Sequence, residues 1–420
     1  MTHHTDTVVI GAGIAGLAAA RTLHDAGGAV VVLEARHRLG GRIHTDRALG
    51  FPVELGAHWI HGAYRNPIAA LARRWRLRTA PTTHPFIALP TAAEVPALLE
   101  QAFPCLLARA QELAWHQERD LPLGEALQRL VAGCPSQLRS VRLGLDWLSL
   151  VMGTDAACLS ARHWDQDLDL PGPDLVLLDG YDALVQRLAR GLEVRLGEAV
   201  RQVEWTPEGV WVESTQATYR AAAAIVTLPL GVLKAGSVRF VPPLPARQQR
   251  AIARLGMGVL DKVVLVFARP CWPAAGEHLA NPDRRPGELA GFSSLLPHLG
   301  APVLVGWVAG RQAQALEDAD DAEAVAWAMR TLRRLLGPGL PDPVHTRVTR
   351  WGSDPYARGA YSHLPAGACG ADYDALAVPV SPRLHLAGEA THRRYPSTVH
   401  GAYLSGRRAA RRVLRLVRPH

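Results

Sequence analysis

The sequence predicts an α/β protein whose N-terminal region opens a parallel β-sheet. Residues 7–10 form a short apolar run, a glycine turn follows, and residues 17–26 carry small and apolar side chains at helical spacing. Residues 30–33 form a second apolar run, as expected of a buried strand. Strand, helix and strand in this order indicate a βαβ unit, and such units build parallel sheets.

The rest of the chain alternates between helical and strand-rich blocks. Residues 76–175 are rich in Leu, Ala, Arg and Gln at helical spacing, and residues 236–350 are mixed. The individual strand patterns lie at 193–196, 200–205, 210–212, 224–227, 262–267 and 384–387. Helices are expected at 322–336 and from about Thr398 onward.

The composition is that of an ordinary globular protein. Hydrophobic residues make up 48% of the 420 residues and charged residues 20%, which disfavours disorder. Because no run of 18 uncharged apolar residues occurs, we expect no membrane span, and residues 1–7 leave no room for a secretory signal. The basic residues behind the net charge of +8 are spread along the chain, so we expect no nucleic acid partner.

The cysteines indicate the compartment. Five of them are scattered without a CxxC spacing, at Cys105, Cys134, Cys158, Cys271 and Cys369. An odd, unclustered set is typical of reduced thiols in a cytoplasmic protein and not of a disulfide framework or a zinc site. We therefore expect a cytoplasmic protein without a metal.

The glycine turn has the spacing of a dinucleotide-binding motif, running Gly11-Ala12-Gly13-Ile14-Ala15-Gly16. Gly11 permits the tight turn, Gly13 lets the backbone approach a pyrophosphate, and Gly16 packs the helix on the strand. The helix N-terminus supplies free N–H groups for the phosphates, so Ala15 is also a predicted contact. Glu34 follows the second strand, where a carboxylate suits ribose hydroxyls.

A second glycine pair follows Glu34 directly. Ala35-Arg36 leads to Gly41-Arg42, which offers another close backbone approach together with a planar cation. This combination resembles the FAD signature of the flavin amine oxidase superfamily. The resemblance implies that Ala35, Arg36, Gly41 and Arg42 bind the cofactor.

The C-terminal segment carries a matching motif. Gly388-Glu389 follows a predicted strand, and Ser397 or Thr398 is placed to cap the final helix. If that helix N-terminus faces a flavin, its dipole stabilises the anion formed on reduction. The segment resembles the closing motif of the same family, and its Thr-Val-His-Gly form is closest to spermine oxidases and lysine-specific histone demethylases. Gly388, Glu389, Thr398 and Val399 are the implied contacts.

Lys262 is the principal candidate for catalysis. Of 46 basic residues only two are lysine, so lysine here is not a default choice of positive charge. The surrounding residues 255–264 resemble the family stretch whose lysine holds a water against flavin N5. A compact ammonium with three rotatable donors suits such a water, and a flat guanidinium does not.

Residues 54–62 resemble the flavin-flanking strand of polyamine oxidases. The resemblance implies contacts to the flavin from Gly56, Ala57, His58 and Trp59, and the contact of His58 is through its backbone, with no role for its imidazole. His61 is placed to hydrogen-bond a substrate amine or to shuttle a proton, although a purely structural histidine fits the pattern nearly as well.

Residues 351–362 resemble the family segment that places an aromatic ring over the flavin. Trp351 is then a cofactor contact and Tyr361 is the ring, which favours an approaching amine and excludes water. Ala360 stands where monoamine oxidases carry a flavin-linking cysteine, so non-covalent FAD is expected. Thr398 stands where relatives carry a second aromatic ring. Val200 corresponds to a backbone contact with adenine.

These matches follow the family's order along nearly the whole chain. They imply a Rossmann-like FAD-binding domain from residues 1–75, 180–235 and 380–420. They also imply a substrate domain with a mixed sheet and helices, made of residues 76–179 and 236–379.

The implied activity is oxidation of an amine. An uncharged small-molecule amine gives a hydride to flavin N5, the imine is hydrolysed, and molecular oxygen reoxidises the flavin to give hydrogen peroxide. A polyamine or a secondary amine is favoured, and a histone tail is not, because no long helical hairpin insertion is visible. An L-amino-acid oxidase, a desaturase and a flavin-binding protein without turnover stay open.

Overall fold

The computed structural model describes residues 2–82, 84, 86–87, 95–132, 138–285 and 287–417. Cys134, named above among the thiols, lies outside these residues. The other four cysteines are unpaired. In the described part of the chain, no helix is both long and apolar enough to pass through a membrane.

The strands of the described residues number as follows in chain order: β1 Thr2–Ile10, β2 Val30–Leu33, β3 Thr45–Asp46, β4 Val53–Glu54, β5 Trp59–Ile60, β6 Thr79–Thr82, β7 Asp174–Leu177, β8 Glu193–Arg195, β9 Val200–Trp205, β10 Val210–Ser214, β11 Thr218–Val226, β12 Arg239–Val241, β13 Gly256–Met257, β14 Leu260–Val266, β15 His278–Ala280, β16 Gly291–Ser294, β17 Val303–Ala309, β18 His345–Val348, β19 Ser362–His363 and β20 Leu384–Leu386.

The α-helices are α1 Ile14–Asp25, α2 Pro67–Arg74, α3 Val95–Ala97, α4 Phe103–Trp115, α5 Leu123–Val131, α6 Leu138–Met152, α7 Asp182–Ala189, α8 Leu230–Ala235, α9 Ala246–Arg254, α10 Leu296–Leu299, α11 Gly310–Asp318, α12 Asp321–Leu336, α13 Gly370–Ala377 and α14 Val399–Val417.

The main sheet draws its strands from both ends and the middle of the chain. Its order is β12-β9-β10-β11-β1-β2-β8, and β20 pairs with the second half of β11. β1, β2, β8, β11 and β20 run parallel where they pair, as the βαβ opening predicts. Side chains alternate between the two faces, so Val9 packs under α1 and α14 while Val8 packs towards α9 and α13.

The first strand is longer than the sequence pattern indicates. The apolar run begins at Thr7, but Thr2 to Thr5 continue the ladder by pairing with the first half of β11. This stretch is exposed or half-buried, so it holds its place by backbone hydrogen bonds and leaves no apolar pattern. Similarly, α1 begins at Ile14 and not at residue 17, because its first turn lies inside the glycine motif.

A second, antiparallel sheet has the order β15-β16-β17-β14-β18. α11 and α12 pack on β14 through a separate apolar cluster. α4, α5 and α6 form the helical block predicted for the middle of the chain and share a core of their own. The predicted strand at 200–205 and the predicted helix at 322–336 are confirmed, the latter starting one residue earlier.

Candidate active site

One large cavity lies at the carboxyl ends of β1, β2 and β20 and reaches β14 and β17 of the second sheet. Its volume is about 920 Å³. All the site residues predicted from the sequence line this cavity, apart from Gly16. Those that line it are Gly11, Gly13, Ala15, Glu34, Ala35, Arg36, Gly41, Arg42, Gly56, Ala57, His58, Trp59, His61, Val200, Lys262, Trp351, Tyr361, Gly388, Glu389, Thr398 and Val399. The carboxyl edge of a parallel sheet is where such folds bind ligands.

The glycine motif has the geometry that its residues predict. Gly11 has φ of +99°, and a Cβ on Gly16 would lie 1.8 Å from the Gly11 carbonyl oxygen. Gly16 is therefore a packing residue, which explains why it is absent from the cavity wall. Gly13 precedes α1, and the first turn of α1 has neither a side-chain cap nor an acidic residue. Its N–H groups and its dipole are left for an anion.

Glu34, which directly follows β2, stabilises the glycine turn through its side chain. Its carboxylate accepts hydrogen bonds from the backbone N–H of Ala12 at 2.7 Å and of Arg36 at 2.9 Å. Contact with a ribose stays a prediction. Glu198 is a neighbouring buried acid that sequence reasoning missed, and it accepts hydrogen bonds from Ser214 and Tyr219. Its only signal was its position two residues before Val200.

Glu389 joins three distant segments at the cavity floor. Its buried carboxylate accepts hydrogen bonds from Arg42 at 2.9 Å, from the Ser362 hydroxyl at 2.6 Å and from the Ser397 N–H at 3.0 Å. Beside it, Gly388 has φ of +132°, and a Cβ there would enter open space. This part of the cavity wall is therefore held together by hydrogen bonds and has room for a ligand beside Gly388.

The cap of the final helix is Thr398, which settles the alternative left by the sequence. The Thr398 hydroxyl accepts a hydrogen bond from the Gly401 N–H at 3.0 Å and donates to the Tyr395 carbonyl at 2.9 Å. Ser397 instead takes a left-handed conformation with φ of +62°. The cavity therefore faces the N-terminus of α14 as well as that of α1.

Lys262 lines the cavity and is 2% exposed. Its Nζ donates to the carbonyls of Glu54 at 2.7 Å and Gly56 at 2.6 Å, and it lies 4.5 Å from the centre of the Trp307 ring. Lys262 and Trp307 are paired directly across β14 and β17. When Lys262 is protonated, the two carbonyl bonds leave its ammonium one further hydrogen for a water in the cavity.

The second lysine of the chain, Lys234, has the same kind of hydrogen-bond partners as Lys262. Lys234 Nζ donates to the carbonyls of Ile252, Ala253 and Leu255 at the end of α9, away from the cavity wall. Both lysines therefore bind clustered carbonyls, and the rarity of lysine does not by itself indicate catalysis. The position of Lys262 in the cavity is what distinguishes it.

Burial shifts the protonation of the groups around Lys262. Burial lowers the pKa of Lys262 to about 7, opposed by the Glu54 carboxylate, and it raises the pKa of Glu54 to about 7. Burial and the facing Glu317 raise the pKa of Asp261 to about 8. Within the part of the chain that the structure describes, no donor reaches Asp261 Oδ2, which fits a proton shared between the carboxyl groups of Asp261 and Glu317.

Aromatic rings form the wall beside Lys262. Trp59 stacks on Trp307 with centroids 5.2 Å apart, and His58 lies against both rings. Tyr361 is fixed by its hydroxyl, which donates to the carbonyl of Val151 at 2.9 Å. None of the ring contacts in the described part of the chain involves Tyr361. The tryptophan pair was not foreseen, because Trp307 carried no recognisable motif.

His61 is half-exposed at the cavity edge, and its Nδ1 lies 2.7 Å from the Asp174 carboxylate. Three polar groups near it were missed from the sequence: Asp174, His84 and His278. His84, Glu277 and His278 also bring three potential metal ligands within 4.8 Å of one another. In the structure these side chains hydrogen-bond to one another and to their neighbours.

Two carboxylates at the cavity wall were also missed. Asp167 and Asp169 line the cavity, are exposed, and have no ion pair with a basic side chain of the described residues. Although much of the Asp167 side chain is accessible, desolvation of its carboxyl group by the surrounding cavity wall, together with the charges of Asp169 and Asp165, raises the pKa of Asp167. An uncompensated pair of carboxylates suits a cation.

Comparison with known proteins gives a consistent result. The sequence profile of the family described as flavin containing amine oxidoreductase matches residues 14–414. The chain is 38% identical to Lysine-specific histone demethylase 1 homolog 2 of Arabidopsis thaliana, with 97% of this chain and 58% of that protein covered. It is 36% identical to Polyamine oxidase 2 of the same organism, with 97% and 88% covered.

The same fold occurs in solved structures. Putrescine oxidase bound to putrescine superposes with a TM-score of 0.80 at 23% identity, and each chain is covered completely. The expected α/β fold is therefore confirmed.

The residues present fit FAD. The uncapped start of α1 suits the pyrophosphate, and the open space at Gly388 admits a ring against the backbone. The second helix N-terminus, at Thr398, faces the same cavity. The chain belongs to the family of flavin-containing amine oxidoreductases.

Proposed function

We propose that the protein oxidises a polyamine or a secondary amine to an imine, which water hydrolyses to an aldehyde and an amine, with release of hydrogen peroxide. The observation that carries the choice of substrate is the pair Asp167 and Asp169 on the wall of the cavity that holds Lys262. Their carboxylates lack a cationic partner in the described residues. The additional ammonium of a polyamine would supply it.

Each part of the wall has a role in this proposal. A flavin held by these residues would supply an acceptor for the hydride equivalent of the α-carbon and a route for the electrons to oxygen. Lys262 orients a water through its remaining hydrogen. Trp59, Trp307 and Tyr361 exclude bulk water from the reacting atoms. Ala360 lines the cavity and offers no nucleophile, so we propose that FAD is bound non-covalently.

The other reaction classes are less well supported. An amino-acid oxidase needs an arginine for the substrate carboxylate. Four arginines line the cavity, and two of them, Arg36 and Arg42, are already paired with Asp354 and Glu389. The other two, Arg201 and Arg358, are exposed, and neither belongs to residues 54–62 or to β14, which carry Lys262 and the carbonyls that it binds. A desaturase substrate would leave Asp167 and Asp169 without a function.

We also propose a small molecule and not a histone tail as the substrate, and a cytoplasmic location. The chain spans 58% of the length of the demethylase homologue but 88% of Polyamine oxidase 2. The four described cysteines are unpaired, as in a reducing compartment.

The substrate proposal is tested with the double variant Asp167→Asn, Asp169→Asn. We expect kcat/KM for spermidine to fall at least about tenfold, the equivalent of about 1.4 kcal/mol, because two carboxylates no longer face the distal ammonium. An N-alkyl monoamine should be oxidised as before. Rates are measured by oxygen consumption.

The matched control is Asp165→Asn, which removes a carboxylate from the same loop. Asp165 accepts a hydrogen bond from Gln111 and does not line the cavity. It should retain full activity on spermidine. Equal losses in all variants, or a loss for the monoamine as well, would show that these carboxylates do not select a polycation.

A further inference from the structure

We propose that Asp174 is a positioning residue that fixes the tautomer of His61, so that His61 Nε2 is free to take a proton from the substrate ammonium. The inference rests on the proposed oxidation of an amine. It assigns a role to a hydrogen-bonded chain at the cavity wall that the reaction outlined above leaves unused.

Strand pairing places Asp174 between the two histidines. Asp174 begins β7, which pairs with β5 on one side and β6 on the other. His61 directly follows β5, and His84 lies two residues beyond β6. Asp174 Oδ1 accepts a hydrogen bond from the Gly62 N–H at 2.8 Å. Asp174 Oδ2 lies 2.7 Å from His61 Nδ1 and 3.0 Å from His84 Nε2.

The Asp174 carboxylate is ionised, and its charge determines which atom donates in each of its hydrogen bonds. Burial alone would raise the pKa of Asp174, but the hydrogen bonds from His61 and His84 outweigh burial and hold it below its usual range. An ionised carboxylate only accepts hydrogen bonds. Therefore His61 donates through Nδ1, and His84 donates through Nε2.

The remaining polar atoms agree with this assignment. Since His84 Nδ1 must accept, His278 Nε2, 3.1 Å away, donates to it. His278 Nδ1 then accepts from the Ser293 hydroxyl at 3.1 Å. Ser293 accepts in turn from the Trp307 indole N–H at 2.8 Å. One set of proton positions satisfies the whole chain from Trp307 to Asp174.

This arrangement leaves a single free lone pair on the imidazoles. His84 and His278 use both ring nitrogens within the chain, whereas His61 Nε2 has no partner among the described residues. The His61 side chain is 56% exposed and lines the cavity. It can therefore meet both substrate and solvent.

The chemistry needs such a group. A protonated amine has no lone pair to assist hydride loss, so the substrate must first give up a proton. The N–H bond of the ammonium breaks, its electron pair stays on the amine nitrogen, and the proton forms a bond to His61 Nε2. The adjacent Asp174 carboxylate stabilises the imidazolium, and the exposed ring then releases the proton to water.

The charged and titratable groups that face His61 do not compete for this role. Asp174 approaches from β7 and His84 from the segment after β6. His400 approaches from α14, and burial followed by the charge of His61 lowers its pKa to about 4. It stays neutral near neutral pH, so His61 is the group that can take up charge.

The first test is the tautomer of His61 in the FAD-loaded wild-type protein, read by ¹⁵N NMR of histidine-labelled protein and assigned with His61→Gln. We expect the Nδ1–H form. In Asp174→Asn the amide can still accept from the Gly62 N–H but must turn its NH₂ towards the imidazoles. His61 should then change to the Nε2–H form. An Nε2–H tautomer in the wild type overturns the proposal whatever the variants do.

The second test is kinetic. Asp174→Asn should lower kcat/KM for spermidine roughly 10²-fold, the scale of general base catalysis. The defect should shrink as the pH approaches the pKa of the free amine, since less of the substrate then needs a base. In a His61→Gln background Asp174→Asn should cost less than about threefold. If Asp174→Asn lowers kcat/KM by the same factor in the His61→Gln background as in the wild type, the proposal is overturned.

The control variant is Asp179→Asn. Asp179 lies just after β7, and its carboxylate accepts hydrogen bonds from the backbone N–H and the guanidinium of Arg78. It does not line the cavity. It should behave as wild type. If no amine reduces the flavin, the proposed function fails while the tautomer result still stands. If spermidine is oxidised equally by Asp174→Asn and Asp179→Asn, only this inference fails.

Discussion

At the scale of single residues, the site is built from side chains that satisfy backbone groups of distant segments. Lys262 binds two carbonyls of the strand that flanks the cavity, and Glu389 accepts from Arg42, Ser362 and Ser397. Each such residue holds several segments in place and also faces the cavity. Removing one therefore changes both the wall and the chemistry.

Lys262→Met provides the residue-scale prediction. The substitution removes the donor to the cavity water, so flavin reduction by amine or its reoxidation should slow at least tenfold while FAD stays bound. Stopped-flow absorbance measures both steps. Lys234→Met is the matched control, because it also removes a carbonyl-binding ammonium but lies away from the cavity. Similar kinetics for the two variants would contradict a catalytic role for Lys262.

The residues that could be predicted are those that belong to contiguous motifs. The glycine turn, Glu34, Lys262 and Thr398 each stand in a local pattern with its own physical reason. Asp174, His84, His278 and Trp307 do not, because they lie in four separate segments. These side chains come together only through the pairing of β5, β6 and β7 and the pairing of β14, β15, β16 and β17.

At the scale of elements, apolar strands and amphipathic helices were predictable, whereas polar extensions were not. β9 and α12 show clear periodicity and agree with the structure to within one residue. The first residues of β1 are polar, and backbone pairing with β11 holds them in the sheet. Strand membership at a polar sheet end depends on the partner strand, which local sequence does not contain.

The helix cap gives the element-scale prediction. Thr398→Ala removes the acceptor for the Gly401 N–H, so the free energy of unfolding should fall by about 1 kcal/mol. Thr398→Ser keeps the hydroxyl, so its free energy of unfolding should stay within a few tenths of a kcal/mol of the wild-type value. Both are measured by urea denaturation of the FAD-loaded protein. Equal losses for alanine and serine would indicate that the methyl group, and not the cap, stabilises this region.

At the scale of the whole molecule, segments from the beginning, middle and end of the chain meet in one sheet and at one cavity. The division into the two domains predicted from the sequence stays a prediction. The convergence buries many histidines in a neutral form. Burial lowers the pKa to about 4 at each of six of them, His44, His278, His363, His385, His392 and His400.

These histidines predict acid sensitivity. Their unfolded forms bind protons below about pH 6.5, whereas the folded forms do not until about pH 4, so stability should fall as the pH decreases through this window. Glu54 and Asp261, whose pKa values are raised, oppose the effect but are fewer. We expect net uptake of several protons on unfolding at pH 5.5, each worth about 1.4 kcal/mol per pH unit. Urea denaturation between pH 4.5 and 7 measures this slope. A free energy of unfolding that does not change with pH in this range would contradict the burial of these histidines in their neutral form.

Whether the protein oxidises an amine can be decided by an anaerobic titration of the FAD-loaded protein with spermidine, followed in the visible flavin spectrum. We expect the oxidised flavin bands to disappear on addition of the amine and to return when oxygen is admitted, with formation of hydrogen peroxide. Protein that does not take up FAD, or bound FAD whose spectrum stays oxidised with spermidine and every other amine offered, would contradict this expectation.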